Sequence, residues 1–159
     1  MKNKIRVGVI FGGRSGEHEV SLVSASSVIN ALDKEKYDAV LIGITKDGRW
    51  LSSADTLRLF KSNDIALNDK NEKYLLPDPG KKGLVSYSDN GNSEVNEKLD
   101  VIFPIMHGTY GEDGAIQGLL ELTNIAYVGA GILASAVGMD KVVQKNLFLQ
   151  AGLPVTDFL

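Results

Sequence analysis

Two glycine-rich loops carry charged side chains at a spacing that could do chemistry. The first is "GGRSGEHEVS", residues 12–21, directly after the apolar run "IRVGVIF". The second is "HGTYGEDGAIQG", residues 107–118, directly after "LDVIFPIM". A glycine turn between a strand and a helix usually cradles phosphate, because backbone N–H groups and the helix dipole favour an anion. The first loop argues against that use. Its spacing is G-G-x-x-G rather than G-x-G-x-x-G, and no G-K-[ST] is present. It also holds Glu17 and Glu19, which repel phosphate and which Arg14 and His18 offset only in part. The arrangement suits a cation: a partly buried glutamate at a helix start is a seat for an ammonium group. Residues two apart on a helix point to different sides, so at most one of the two faces a ligand. The bland alternative is that both merely cap the helix.

In the second loop, Asp113 reads as the N-cap of a helix beginning at Gly114 or Ala115, and Glu112 as a residue that holds the turn. Gly108, Gly111 and Gly114 supply backbone conformations that other residues resist, as do Gly12, Gly13 and Gly16 in the first loop. His107 emerges where a strand ends. It is either a structural hydrogen-bonder or a group that meets a ligand.

Several elements must position these loops. Residues 4–11 are apolar almost throughout, as in a strand buried on both faces. Val20, Val23, Val28, Ile29 and Leu32 fall at helical spacing after the first loop. Residues 37–46 and 99–108 read as further strands, with Pro104 a mild objection to a central place for the latter. Residues 114–125 read as a helix with Ile116, Leu119, Leu120 and Leu122 on its apolar face. A short strand at 126–129 follows, then a helix over 132–153 in two pieces near Gly138–Asp140. Strands alternating with helices predict an α/β fold: a doubly wound, Rossmann-like parallel sheet with helices on both faces. In such a sheet ligands collect at the carboxyl ends of the strands, where both loops sit. Residues 46–98 break the rhythm with turn chemistry. They read as a surface insertion with a short helix near 54–61 and a hairpin around Pro79–Gly83.

Bulk properties narrow the partners. The 159 residues hold 17 basic and 20 acidic side chains, a net charge of −3, which suggests neither nucleic acid nor an anionic membrane surface. There is no cysteine and there are two histidines, so thiolate and His-built metal sites are excluded. No apolar run approaches the roughly 20 residues that span a bilayer. The default location is the cytoplasm. The ending "AGLPVTDFL" is apolar and strand-like, and creates the expectation that more sequence follows.

At the level of motifs, "HGTYGEDGAIQG" resembles the signature H-G-x-x-G-E-D-G-x-[apolar]-Q-G of D-alanine–D-alanine ligases. "GGRSGEHEVSLVSA" is similar to that family's glycine turn followed by Glu and E-V-S, and "YVGAGILASAVGMDK" to the stretch entering its nucleotide-binding domain. The resemblance covers all of the chain except 46–98. It implies an ATP-grasp enzyme with ATP and Mg²⁺ as cofactors. By the same resemblance ATP phosphorylates the carboxylate of one D-alanine, and the amino group of a second D-alanine attacks the acyl phosphate, releasing phosphate and forming the dipeptide for peptidoglycan synthesis.

By this resemblance Glu17 meets the ammonium of the first D-alanine, with Val20 and Ser21 placing it. His107 lies near that substrate's carboxylate, and Lys141 approaches the ATP phosphates. Residues 1–129 correspond to a substrate-binding domain and 130–159 to the beginning of a central domain. No catalytic residue beyond these substrate contacts and no metal ligand is expected in this stretch, which should not turn over alone. The expected partners are D-alanine, the rest of the same chain and a second copy in a homodimer. Open alternatives are a D-lactate or D-serine acceptor, a Rossmann-like dinucleotide binder, and a non-catalytic binding module.

Overall fold

The first strand is buried on both faces, and the sheet is built outward from it. In the computed structural model, which describes residues 4–53, 56–62, 73–87 and 93–158, this is β1 (Ile5–Gly12). Val7, Val9 and Phe11 point to one face and Ile10 to the other, all 4 % exposed or less. Burying a side chain of this size contributes about 2 kcal/mol. Helix α1 (His18–Ala31) leads to β2 (Tyr37–Ile44), then the two-residue β3 (Trp50–Leu51) and α2 (Thr56–Ser62). Next come β4 (Tyr74–Leu75), β5 (Gly83–Tyr87) and β6 (Ser93–Lys98). The chain returns through β7 (Val101–Ile105), α3 (Ala115–Thr123) and β8 (Ala126–Tyr127) to α4 (Ile132–Met139) and α5 (Lys141–Gln150).

The main sheet has the order β3-β2-β1-β7-β8. β2, β1, β7 and β8 are parallel, whereas β3 runs antiparallel to β2, so the sheet is mixed at one edge. Pro104 fits inside this sheet because β8 is short. Ile102 accepts a bond from the Val128 N–H on the β8 side. Side-to-side alternation along β7 therefore turns the Pro104 nitrogen to the same side. There β8 pairs only with Val101 and Ile102, and no ladder bond is lost.

One face packs on α1, with Leu22 and Ala25 against Val7, Val9 and Phe11. The other packs on α3 through Ile116 and Leu120, together with Leu75 and Leu84. Helices thus lie on both faces, as expected. The apolar stripes differ from those read in the sequence. On α1, Val20 and Val23 are 51 % and 65 % exposed, and the buried stripe runs His18, Ser21, Leu22, Ala25. Two polar residues open that stripe because their side chains bond the loop backbone. On α3, Leu122 is 62 % exposed and Gln117 is buried instead.

The described residues between 46 and 98 are not merely a surface insertion. Leu51, Leu75, Leu84 and Val85 are all buried, and β4-β5-β6 form a second, antiparallel sheet. The hairpin around Pro79–Gly83 is present: Asp78 accepts from the Gly80 N–H at 2.9 Å, and Leu75 pairs with Leu84. The expected helix starts at Thr56, and positions 54 and 55 lie outside the described residues.

The two-piece helix near Gly138–Asp140 is as read. Asp140 ends α4 and caps α5, its Oδ1 accepting from the N–H groups of Val142 and Val143 at 3.1 and 3.0 Å. Asp140→Ala is expected to speed amide exchange at Val142 and Val143 about fivefold. Unchanged exchange at both would mean that the cap does not form.

Candidate functional site

The end of β1 is shaped by a close approach of backbones. Gly12 has φ +84, and a Cβ there would lie 2.3 Å from the Ile44 carbonyl oxygen. The next N–H, of Gly13, donates to that same oxygen at 2.8 Å. Only glycine fits here, so the chain leaves β1 tight against the end of β2. Ser21 on α1 is fully buried. Its hydroxyl accepts from the Gly12 N–H at 2.7 Å and donates to the Ile105 carbonyl. One side chain therefore ties together the carboxyl ends of β1 and β7. His18, also buried, places Nδ1 2.8 Å from the Gly13 carbonyl oxygen. A carbonyl only accepts, so Nδ1 carries the proton.

The two loops are stitched to each other. Ser15 donates to the His107 carbonyl at 2.8 Å and accepts from the Glu17 N–H at 3.2 Å. The His107 ring sits between two elements. Its Nε2 is 3.0 Å from the Ser24 hydroxyl on α1, and its Nδ1 is 3.9 Å from Glu112 Oε1. Glu112 does hold the turn, accepting from the Gly108 N–H at 2.8 Å. Asp113 binds the N–H groups of Tyr110 at 2.8 Å and Ala115 at 3.0 Å. The N-cap position itself belongs to Gly114 rather than Asp113. Gln117 donates to the Gly111 carbonyl at 2.9 Å and fixes the loop from below.

The two carboxylates of the first loop part company. Glu19 pairs with Lys46 at 2.8 Å, and the Lys46 hydrogen bond holds its pKa below the ordinary value. Glu17 occupies the N-cap position of α1, yet its side chain makes no cap hydrogen bond, so the capping alternative fails for it. Among the described residues its carboxylate has no hydrogen bond or ion pair. It leans across the gap between the loops: a Cβ built on Gly108 would be 3.6 Å from Glu17 Oε1. One expectation needs correction. Glu17 is exposed rather than partly buried, because the loop carries it above the sheet rim.

The remaining expected site residues fall in three places. Val20 is exposed one turn up α1. Ser21 lies beneath the loops as a brace, with its hydroxyl fully occupied, and does not face a ligand. Lys141 is distant in kind: it starts α5, and its ammonium donates to the Gly138 carbonyl at 2.6 Å. Gly13, Gly108 and Gly114 adopt positive φ as expected. Gly111 is instead required for space, since a Cβ there would lie 2.7 Å from Met106 Cβ, while a Cβ on Gly16 would meet nothing. Sequence reading passed over Ser15, His18 and Ser24 as site residues. Ser24 did carry a signal, since it stands seven residues beyond Glu17, two helical turns along the same side of α1.

A doubly wound sheet whose β1 and β7 loops meet at the carboxyl ends of their strands is an α/β domain with a cleft at that rim. The family model described as D-ala D-ala ligase N-terminus matches residues 6–130, and the chain belongs to that family. It is 47 % identical over 160 residues to the D-alanine–D-alanine ligase of Mycobacterium avium, covering 98 % of this chain and 43 % of that one. It is 46 % identical over 155 residues to the ligase of the same name from Natranaerobius thermophilus, covering 98 % and 41 %. Among solved structures, the VanG D-Ala:D-Ser ligase of Enterococcus faecalis superposes with a TM-score of 0.83 at 34 % identity, over 98 % of this chain and 44 % of that one. The chain thus spans less than half the length of the relatives it matches.

Proposed function

We propose that this chain supplies the first-substrate half-site of an ATP-dependent ligase that joins two D-alanines through a D-alanyl phosphate, for peptidoglycan synthesis. The observation that carries this reading is the free carboxylate of Glu17, held at the rim opposite Gly108 while its neighbour Glu19 is neutralised by Lys46. A free α-ammonium group complements it. His107, oriented through Nε2 by the Ser24 hydroxyl, belongs to the loop on the other side of the same gap and is proposed to meet the other end of a small amino acid. D-alanine is preferred to D-serine as second substrate, because the sequence relatives at 45–48 % identity are named D-alanine–D-alanine ligases, against 34 % for the D-Ala:D-Ser ligase.

ATP would supply the phosphoryl group and Mg²⁺ its charge neutralisation. Lys141 is the residue of this chain proposed to reach the phosphates, once its ammonium leaves the Gly138 carbonyl. Among the described residues no three His, Cys, Asp or Glu side chains stand together as a metal needs, so no magnesium ligand is proposed here. Residues 130–159 are read as opening a further domain. Leu133, Val142, Leu147 and Leu149 are all exposed there, an apolar surface that further chain would cover. The reading includes a cytoplasmic homodimer, and among the described residues no helix is long and apolar enough to cross a membrane.

The test is a hybrid in which residues 1–159 replace the matched part of the Mycobacterium avium ligase. The expected result is phosphate release from ATP that depends on added D-alanine. A folded hybrid that binds ATP yet ignores D-alanine would end this reading.

A further inference from the structure

A second concavity lies beside the first loop, on the α3 side of the sheet, and the proposed reaction makes no use of it. It is an open pocket of about 240 Å³ whose walls are largely apolar, with Ile44, Trp50, Met106, Ile116 and Leu119 among them. Arg14 stands on its rim and is the one charged residue among those lining it. The Arg14 stem lies against Gly48, where a Cβ would be 2.8 Å from Arg14 Cδ. Its guanidinium lies 5.3 Å from the centre of the Tyr110 ring, and among the described residues it meets no carboxylate. Three loop acids are engaged elsewhere, Asp113 by two backbone N–H groups, Asp47 by the Thr45 hydroxyl and Glu19 by Lys46, while Glu17, in the same loop as Arg14, leans toward Gly108.

We propose that this cavity binds a small monocarboxylate with a single aromatic ring or a branched hydrocarbon body. Volume sets the size. A cavity of about 150 Å³ accepts a benzene ring, so this one takes a ring with a short arm. Wall chemistry sets the body, which is hydrocarbon. Rim charge sets the head group: a guanidinium with no acidic partner among the described residues matches a carboxylate in its fork geometry. The sign is opposite to that of the Glu17 gap, so the two sites select different ends of different molecules. The carboxylate would draw Arg14 off Tyr110, which belongs to the second loop.

The molecule contains one tryptophan, Trp50, and it lines this cavity, so its fluorescence reads occupancy directly. The probe is phenylacetate, titrated into the 159-residue chain without D-alanine or ATP; phenylacetamide is the neutral control of equal shape. Phenylacetate is expected to shift Trp50 emission saturably with a Kd of about 1 mM, a fair reach for about ten non-hydrogen atoms. The amide is expected to bind about tenfold more weakly. Arg14→Gln should bring the acid down to the level of the amide while leaving the amide unchanged. Leu119→Phe, which fills the cavity, should abolish both shifts with the circular dichroism spectrum retained. Absence of a saturable shift, equal binding of acid and amide, or survival of the acid's advantage in Arg14→Gln would each overturn the proposal. These readouts contain no ligase step, so they succeed or fail apart from the D-alanine reading.

Discussion

Gly12→Ala is expected to lower the melting temperature by about 10 °C. Two costs add. A φ of +84 is in the left-handed region, where an L side chain costs about 1–2 kcal/mol. The new Cβ would also meet the Ile44 carbonyl oxygen at 2.3 Å, which is backbone in a parallel strand and cannot swing aside. Forcing β1 and β2 apart at that point costs about 1–3 kcal/mol more. A total of about 3 kcal/mol corresponds to roughly 10 °C for a chain of this size. Gly16→Ala is the matched control, since its Cβ would meet nothing, and it should melt within about 2 °C of the parent. Equal melting points for the two variants would show that the close approach to β2 does not exist.

In the hybrid ligase, Glu17→Gln is expected to raise the KM for the first D-alanine about tenfold and to leave the KM for ATP unchanged. Glutamine keeps the size of the side chain and can still accept a hydrogen bond, so the loss is of charge alone. Hydrogen bonds to charged groups contribute about 1.5–3 kcal/mol. Glu17 is exposed, and solvent screening places it at the low end, near tenfold. Glu19→Gln provides the contrast: it breaks the pair with Lys46 on the far side of the helix start and should leave both constants as they were. A KM for D-alanine that does not move in Glu17→Gln would remove the ammonium role from this residue.

Legibility of the fold followed burial. β1, β2 and β7 are covered on both faces, so their apolar runs stand out, and the helices between them were readable in outline. β3 and β4 are two residues long, too short to carry any period, so the antiparallel edge of the main sheet and the first strand of the second sheet were lost within turn-rich sequence. The stripe on α1 was misjudged because hydropathy cannot flag His18 and Ser21. Their burial depends on backbone partners as far away as Ile105. In the site, the acids were legible from charge and spacing. Spacing showed that at most one of Glu17 and Glu19 faces a ligand and the resemblance pointed to Glu17, but the pairing of Glu19 with Lys46 was not legible, because only folding brings Lys46 near. For the same reason the bonds of Ser15 and Ser24 to His107 were invisible, since that partner is more than eighty residues distant along the chain; only the spacing of Ser24 from Glu17 hinted at its side of α1.

The doubly bonded hydroxyl of Ser21 has a mechanical consequence. A single buried atom grips the last turn of two adjacent strands, so the loops that follow them travel as one rigid body. Neither can swing open without dragging its neighbour. Under the proposed reading, a lid over an amino acid held here has to be hinged elsewhere, with these two loops as its fixed jaw.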